Sequence, residues 1–90
     1  MDKRTEALVI LQEECAELIQ AISKLQRWGP DGTHEGRPSA RDRMVSEMGD
    51  VLAMFPFVRD EFGITEEELK EAIKVKRARL AVYSGLMRDD

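Results

Sequence analysis

Apolar residues recur at intervals of three and four in three separate stretches of this chain, and nowhere alternate with the period of two that a half-buried strand requires. The first stretch carries Leu8, Leu11, Cys15, Leu18, Ile22 and Leu25 as an unbroken heptad-like seam. The second carries Met44, Met48, Val51, Phe55, Val58 and Phe62, and the third Leu69, Ile73, Leu80 and Tyr83. The pattern predicts an all-α fold, a helical hairpin plus a third helix. Start and stop signals agree with it. Asp2 is an N-cap candidate and Gly29-Pro30 a stop for the first helix. Ser39 with Asp42 resembles a capping box for the second, Gly63 suits its C-terminus, and Thr65 with Glu68 forms a capping box for the third. Pro56 breaks the pattern. It removes a backbone hydrogen bond inside the second helix and is expected to kink it or end it early.

Ninety residues predict one domain over 1–90, too small to bury a generous core. The single cysteine, Cys15, allows no intrachain disulfide, and no Cys/His cluster offers structural zinc. Self-association is then the available source of extra buried area, and we expect a homodimer or homotetramer resembling a four-helix bundle. Cys15 itself lies on the first seam and reads as a small buried hydrophobe. The apolar run Ala7 to Leu11 is too short for a signal-peptide core, and Val51 to Val58 is far short of a membrane span. A lone thiol fits a reducing compartment, so the expected location is cytoplasmic. A formal charge of −4 argues against general nucleic-acid binding, which needs a basic footprint.

Between the first two helices lies a loop, residues 29–38, with three glycines and two prolines in ten positions. It can be neither helix nor strand, and it is long for a helix–helix connection, so it is either a functional loop or a solvated tether. His34 sits within it without a nucleophile or acid partner in view, and no catalytic role is assigned to it.

The chemistry concentrates in two acid-x-x-acid pairs. Glu14 and Glu17 share one face of the first helix and flank its seam, while Glu13 faces solvent. Glu47 and Asp50 flank the second seam in the same way, with Gly49 between them leaving room for close approach. Counted from the loop, both pairs lie some 12–21 Å along their helices at about 1.5 Å per residue. In an antiparallel hairpin the four carboxylates come out level and face one another. Four facing carboxylates repel unless they are protonated or bind cations, and an all-oxygen donor set favours hard ions, namely Mg²⁺, Mn²⁺ or Ca²⁺.

These residues also carry a resemblance. Glu13-Glu14-x-x-Glu17, a linker, then Glu47-x-x-Asp50 resembles the signature of the MazG-like all-α nucleoside triphosphate pyrophosphohydrolases. EECAELIQAISKLQRWG is similar to the first helix of the short, phage-type members, and SEMGDVLAM to their second metal-binding helix. The resemblance implies an oligomeric enzyme that uses Mg²⁺, with Mn²⁺ a possible substitute, to split a nucleoside triphosphate into monophosphate and pyrophosphate. Glu14, Glu17, Glu47 and Asp50 would then be the catalytic metal ligands, Lys24, Arg27 and Trp28 a basic-aromatic stretch near the substrate, and Lys76 a lysine on the last helix. Lys76 lies on the third apolar seam, where it either snorkels to water or reaches a phosphate. Trp28 either stacks on a base or closes the helix end. Lys70, Lys74 and Arg77 read as a solvated charged stripe. Two other readings stand beside this one: phosphoribosyl-ATP hydrolysis on a related scaffold, and a helical oligomerisation module without catalysis.

Overall fold

The computed structural model describes residues 1–32 and 37–88 and contains three helices, α1 (Lys3–Trp28), α2 (Ala40–Phe62) and α3 (Glu66–Tyr83). The fold is all-α. His34 and the centre of the 29–38 loop lie outside the described residues.

Local chemistry sets each boundary. The Asp2 carboxylate accepts the Thr5 N–H at 2.7 Å and opens α1, and the Gly29 N–H donates to the Leu25 carbonyl to close it. The Ser39 hydroxyl accepts from the Asp42 N–H at 3.1 Å and opens α2. That helix runs through Pro56 to Phe62, so the early end that the proline suggests does not occur. Missing one N–H is tolerated where the flanking turns continue the ladder. Gly63 ends α2 with φ 61°, a left-handed conformation that a side chain disfavours. Thr65 and Glu68 form the expected reciprocal capping box at α3.

Helices α1 and α2 form an antiparallel hairpin. At its open end Arg4 of α1 donates through Nη2 to the Glu61 carbonyl at 3.1 Å and lies 4.7 Å above the Phe62 ring. At the loop end the Ala40 N–H donates to the Gly32 carbonyl at 2.8 Å, and the Arg41 N–H to the Pro30 carbonyl at 3.0 Å. Gly32 presses on the last turn of α1 so closely that a Cβ there would stand 2.7 Å from the Trp28 carbonyl oxygen. Only glycine lets the chain turn back at this point.

The contact line of the hairpin coincides with the seam only in part. Its buried residues are Ala7 and Ala21 on α1 and Ala40, Glu47 and Val51 on α2. Ala7, Glu14 and Ala21 are spaced by seven, so the line on α1 runs one position before Leu8, Cys15 and Ile22. Cys15 is exposed, which corrects the expectation of a buried thiol. Leu8, Ile22, Met48, Phe55 and Phe62 are likewise exposed. Small residues bring the two helices together, and each bulky stripe is split: Val51 is buried and Leu11, Leu18, Leu25, Met44 and Val58 are half-buried, while the rest of the stripe is left on the outside.

Helix α3 packs against neither α1 nor α2 among the described residues, and none of its residues is buried. All three helices lie in one layer, 43 × 42 × 14 Å. Its thickness is little more than one helix with side chains, about 10–12 Å. The chain exposes 7372 Å², against about 5,400 Å² for a compact monomer of its mass. The radius of gyration is 16.3 Å, against about 12 Å for a compact chain of this length.

Candidate metal centre

The hairpin brings all four predicted acids together. Glu14 and Glu17 from α1 and Glu47 and Asp50 from α2 each offer a carboxylate oxygen, and these four oxygens all lie within 4.8 Å of one another. The i, i+3 spacing on each helix puts both acids of a pair on one face, and the antiparallel register puts the pairs at one height. Glu47 is the most enclosed, at 8% exposure; Glu14 is half-buried, and Glu17 and Asp50 open to solvent. The cluster therefore has a closed floor and an open mouth.

Two oxygens in that floor, Glu14 Oε2 and Glu47 Oε2, are buried and accept no hydrogen bond. A buried carboxylate oxygen without a donor is a costly arrangement, and a cation relieves it. Both carboxyls are raised above their ordinary value. For Glu14 the largest cause is desolvation, followed by the charges of Glu17, Asp50 and Glu47. For Glu47 it is again desolvation, then the charges of Glu17 and Asp50, with Arg43 acting in the opposite sense. Oxygen-only donors, two of them orphaned and all mutually repelling, fit a hard divalent cation.

The sign of the pH dependence follows. With Glu14 and Glu47 raised in the fold, the native chain holds protons that the unfolded chain releases, so their contribution stabilises at low pH and is lost as pH rises through the raised values. Glu17, Asp50 and Arg43 are the charged groups facing them. In EDTA the melting temperature of the wild type should therefore fall more steeply than that of Glu47→Gln as pH rises from about 4 to 7. Parallel curves for the two proteins would contradict this account.

The predicted substrate residues separate into two groups. Lys24 and Trp28 line a cleft between the last turns of α1 and the start of α2. Arg27 lies beside it, its guanidinium 5.1 Å from the Trp28 ring. Lys76 is exposed on α3, which touches neither hairpin helix, so a single chain does not bring it to the acids. The cleft also contains Arg37 and Arg43, which periodicity did not single out. Arg43 stands four residues before Glu47 on the same face of α2, a spacing that could have drawn attention to it. Lys70 pairs with Glu66 at 3.7 Å, as a solvated charged stripe should. Among the described residues, no helix is long and apolar enough to cross a membrane.

The family model for the MazG nucleotide pyrophosphohydrolase domain matches residues 3–78. The uncharacterized protein YvdC of Bacillus subtilis (strain 168) is 29% identical over 68 residues, covering 73% of this chain and 64% of that protein. The chain thus spans less than two thirds of the length of the curated relative it matches. No solved structure matches the chain.

Proposed function

Because the chain belongs to the MazG nucleotide pyrophosphohydrolase domain family, we propose that it hydrolyses a nucleoside triphosphate to the monophosphate and pyrophosphate, as a single domain over 1–90 acting in the cytoplasm. The observation that carries the proposal is the facing set of Glu14, Glu17, Glu47 and Asp50 with two buried oxygens lacking a donor. These carboxylates hold Mg²⁺, or Mn²⁺ in its place. When bound, such an ion neutralises phosphate oxygens and lowers the pKa of a coordinated water.

The residues of the chain divide the rest of the work. Glu14 and Glu47, enclosed by the hairpin, fix the donor geometry. Glu17 and Asp50, at the open mouth, face the incoming triphosphate, and either can take a proton from the attacking water as a general base. Water adds to the α-phosphorus, the bond from that phosphorus to the bridging oxygen breaks, and pyrophosphate departs with the electron pair. No GxxxxGK[ST] loop occurs in the sequence, so a P-loop mode of γ-phosphate transfer has no framework here.

We further propose that the working form is a homodimer or homotetramer resembling a four-helix bundle. A single-layer chain leaves roughly 2,000 Å² more surface exposed than a compact monomer of its mass. That excess is on the scale of an obligate interface. Assembly would also give Lys76 a route to a neighbouring acid cluster.

Hydrolysis in ¹⁸O-water tests the bond that breaks. The label is expected in the monophosphate, with unlabelled pyrophosphate. Label in orthophosphate with diphosphate accumulating would rule the proposal out. Including phosphoribosyl-ATP among the substrates separates the related scaffold activity, and no turnover of any phosphoanhydride would favour the oligomerisation module.

A further inference from the structure

Resting on that reading of the acid cluster, we infer that the groove at the open end of the hairpin seats the nucleoside of the substrate, and that its acidic rim selects a base carrying an exocyclic amino group over its keto counterpart. The groove lies on the face that holds the acids. Along α1 the positions 7, 10, 14 and 17 follow one stripe, and along α2 the positions 47, 50, 54 and 57 follow another. Ile10 therefore stands one turn before Glu14 and Met54 one turn after Asp50, about 6 Å along each helix, with Ala7 and Phe57 about 5 Å further. A nucleotide held at the acids and directed toward the open end lays its base in this groove.

Charge sets that direction. Three carboxylates, Glu6, Asp60 and Glu61, and one cation, Lys3, rim the groove, so it repels a phosphate chain. The neutral nucleoside is the part of the substrate that it admits. Its floor suits a base: Ala7 is buried, Ile10 and Met54 are half-buried, and the Phe57 ring is 60% exposed. An open aromatic ring at the edge of the acid-bearing face is a stacking surface that any base can use. Phe57 also lies apart from the exposed stripe of Leu8, Ile22, Met48, Phe55 and Phe62, because Met54 and Glu61 of the groove stand one position before Phe55 and Phe62.

Selection comes from the rim. Among the described residues, none of the side chains of Lys3, Glu6, Asp60 and Glu61 is engaged in a hydrogen bond or ion pair. Ionised carboxylates only accept hydrogen bonds, so the groove calls for donors. The amino group of cytosine or adenine supplies two N–H bonds at the edge of the base. A keto oxygen in the same place, as in uracil or hypoxanthine, turns its lone pairs onto the acids. Lys3 satisfies that oxygen or neutralises one acid, but not both, and the single ring N–H beside the keto group cannot serve the acceptors that remain.

Steady-state hydrolysis of CTP against UTP and of ATP against ITP, each pair exchanging an amino for a keto group, tests this. kcat/KM should favour the amino member of each pair by about tenfold, the scale of one hydrogen bond to a charged group. Asp60→Asn combined with Glu61→Gln, whose amides can also donate, should bring both ratios close to one with helicity and Mn²⁺ affinity retained. Phe57→Ala should raise KM about tenfold for all four substrates and leave kcat unchanged, as the loss of a stacking surface does. Glu67→Gln on α3 should alter none of these values. Calorimetric binding of the α,β-methylene analogues of CTP and UTP with Mn²⁺ reads the same preference without turnover. Ratios near one in the wild type, or ratios that the rim variant does not move, would overturn the inference while hydrolysis itself upholds the reaction. Analogue binding with the amino preference, but cleavage of no triphosphate, would count against the proposed reaction alone. A Phe57→Ala protein with unchanged KM and altered sedimentation would assign the groove to a second copy of the chain and overturn the inference as well.

Discussion

Glu47→Gln is expected to lower metal-dependent turnover by at least about a hundredfold, the scale seen when one preorganised electrostatic contact to a transition state is removed, while leaving the metal-free fold intact or more stable. The substitution keeps the shape of the most enclosed acid of the cluster, so packing against the hairpin is retained. It removes one of four mutually repelling charges and replaces an orphaned oxygen with an amide that can donate to a neighbouring carboxylate. Stability and activity should therefore move in opposite directions, an outcome that simple misfolding cannot mimic. Asp50→Asn should behave alike. Metal linkage supplies a second readout. At a hundredfold excess over its dissociation constant an ion stabilises by about 2.7 kcal/mol, equivalent to roughly 10 °C or more in a domain this small. The wild type should show that shift with Mg²⁺ or Mn²⁺, and Glu47→Gln should lose most of it. Near-normal turnover in either variant would remove the four-carboxylate site from consideration.

The parts of this molecule that were legible in the sequence are those governed by local chemistry. Asp2, Ser39 and Thr65 cap the helices because each side chain needs only an N–H three residues ahead. The acids were legible because equal distances from one loop, along two straight helices, fix their relative height. What periodicity could not reveal is which of two neighbouring stripes faces inward. On α1 the line of Ala7, Glu14 and Ala21 runs one position before Leu8, Cys15 and Ile22; on α2 Glu47 stands one position before Met48, and Val51 of the seam itself turns inward beside it. The small line packs within the chain, which exposed Cys15 and put Glu47 on the contact line instead of at its edge. Bulk alone favours the opposite choice. Arg37 and Arg43 escaped notice for a different reason. They join Lys24 only because Gly32 packs against Trp28 and its carbonyl accepts from the Ala40 N–H, a tertiary event without a sequence period. The separation of α3 from the hairpin is equally invisible in its own seam.

On the proposed assembly, Ile73→Glu is expected to give a 10.3 kDa monomer in sedimentation and to lower the melting temperature by several degrees. Within one chain Ile73 is 58% exposed and Tyr83 85%, and α3 touches neither other helix. A substitution at so open a position should alter stability by no more than about 0.5 kcal/mol if the chain works alone. Helices in proteins draw most of their stability from tertiary packing, however, and the 18 residues of α3 have none within the described chain. Its capping box and the Glu66–Lys70 pair add only about a kcal/mol or so between them. In the proposed assembly α3 gains order by docking, and the hairpin offers an uncovered stripe of matching character in Leu8, Ile22, Met48, Phe55 and Phe62. A charge at Ile73 would have to be desolvated in that contact without a partner, which disfavours the assembled form strongly. Glu67→Gln, on the polar side of α3, serves as the control and should change neither mass nor melting temperature. If Lys76 reaches the acid cluster of a neighbouring copy, Ile73→Glu should also lose turnover while its hairpin still binds Mn²⁺. A wild type that sediments as a monomer and is fully active, or an Ile73→Glu protein that melts and assembles like it, would show that α3 needs no second copy.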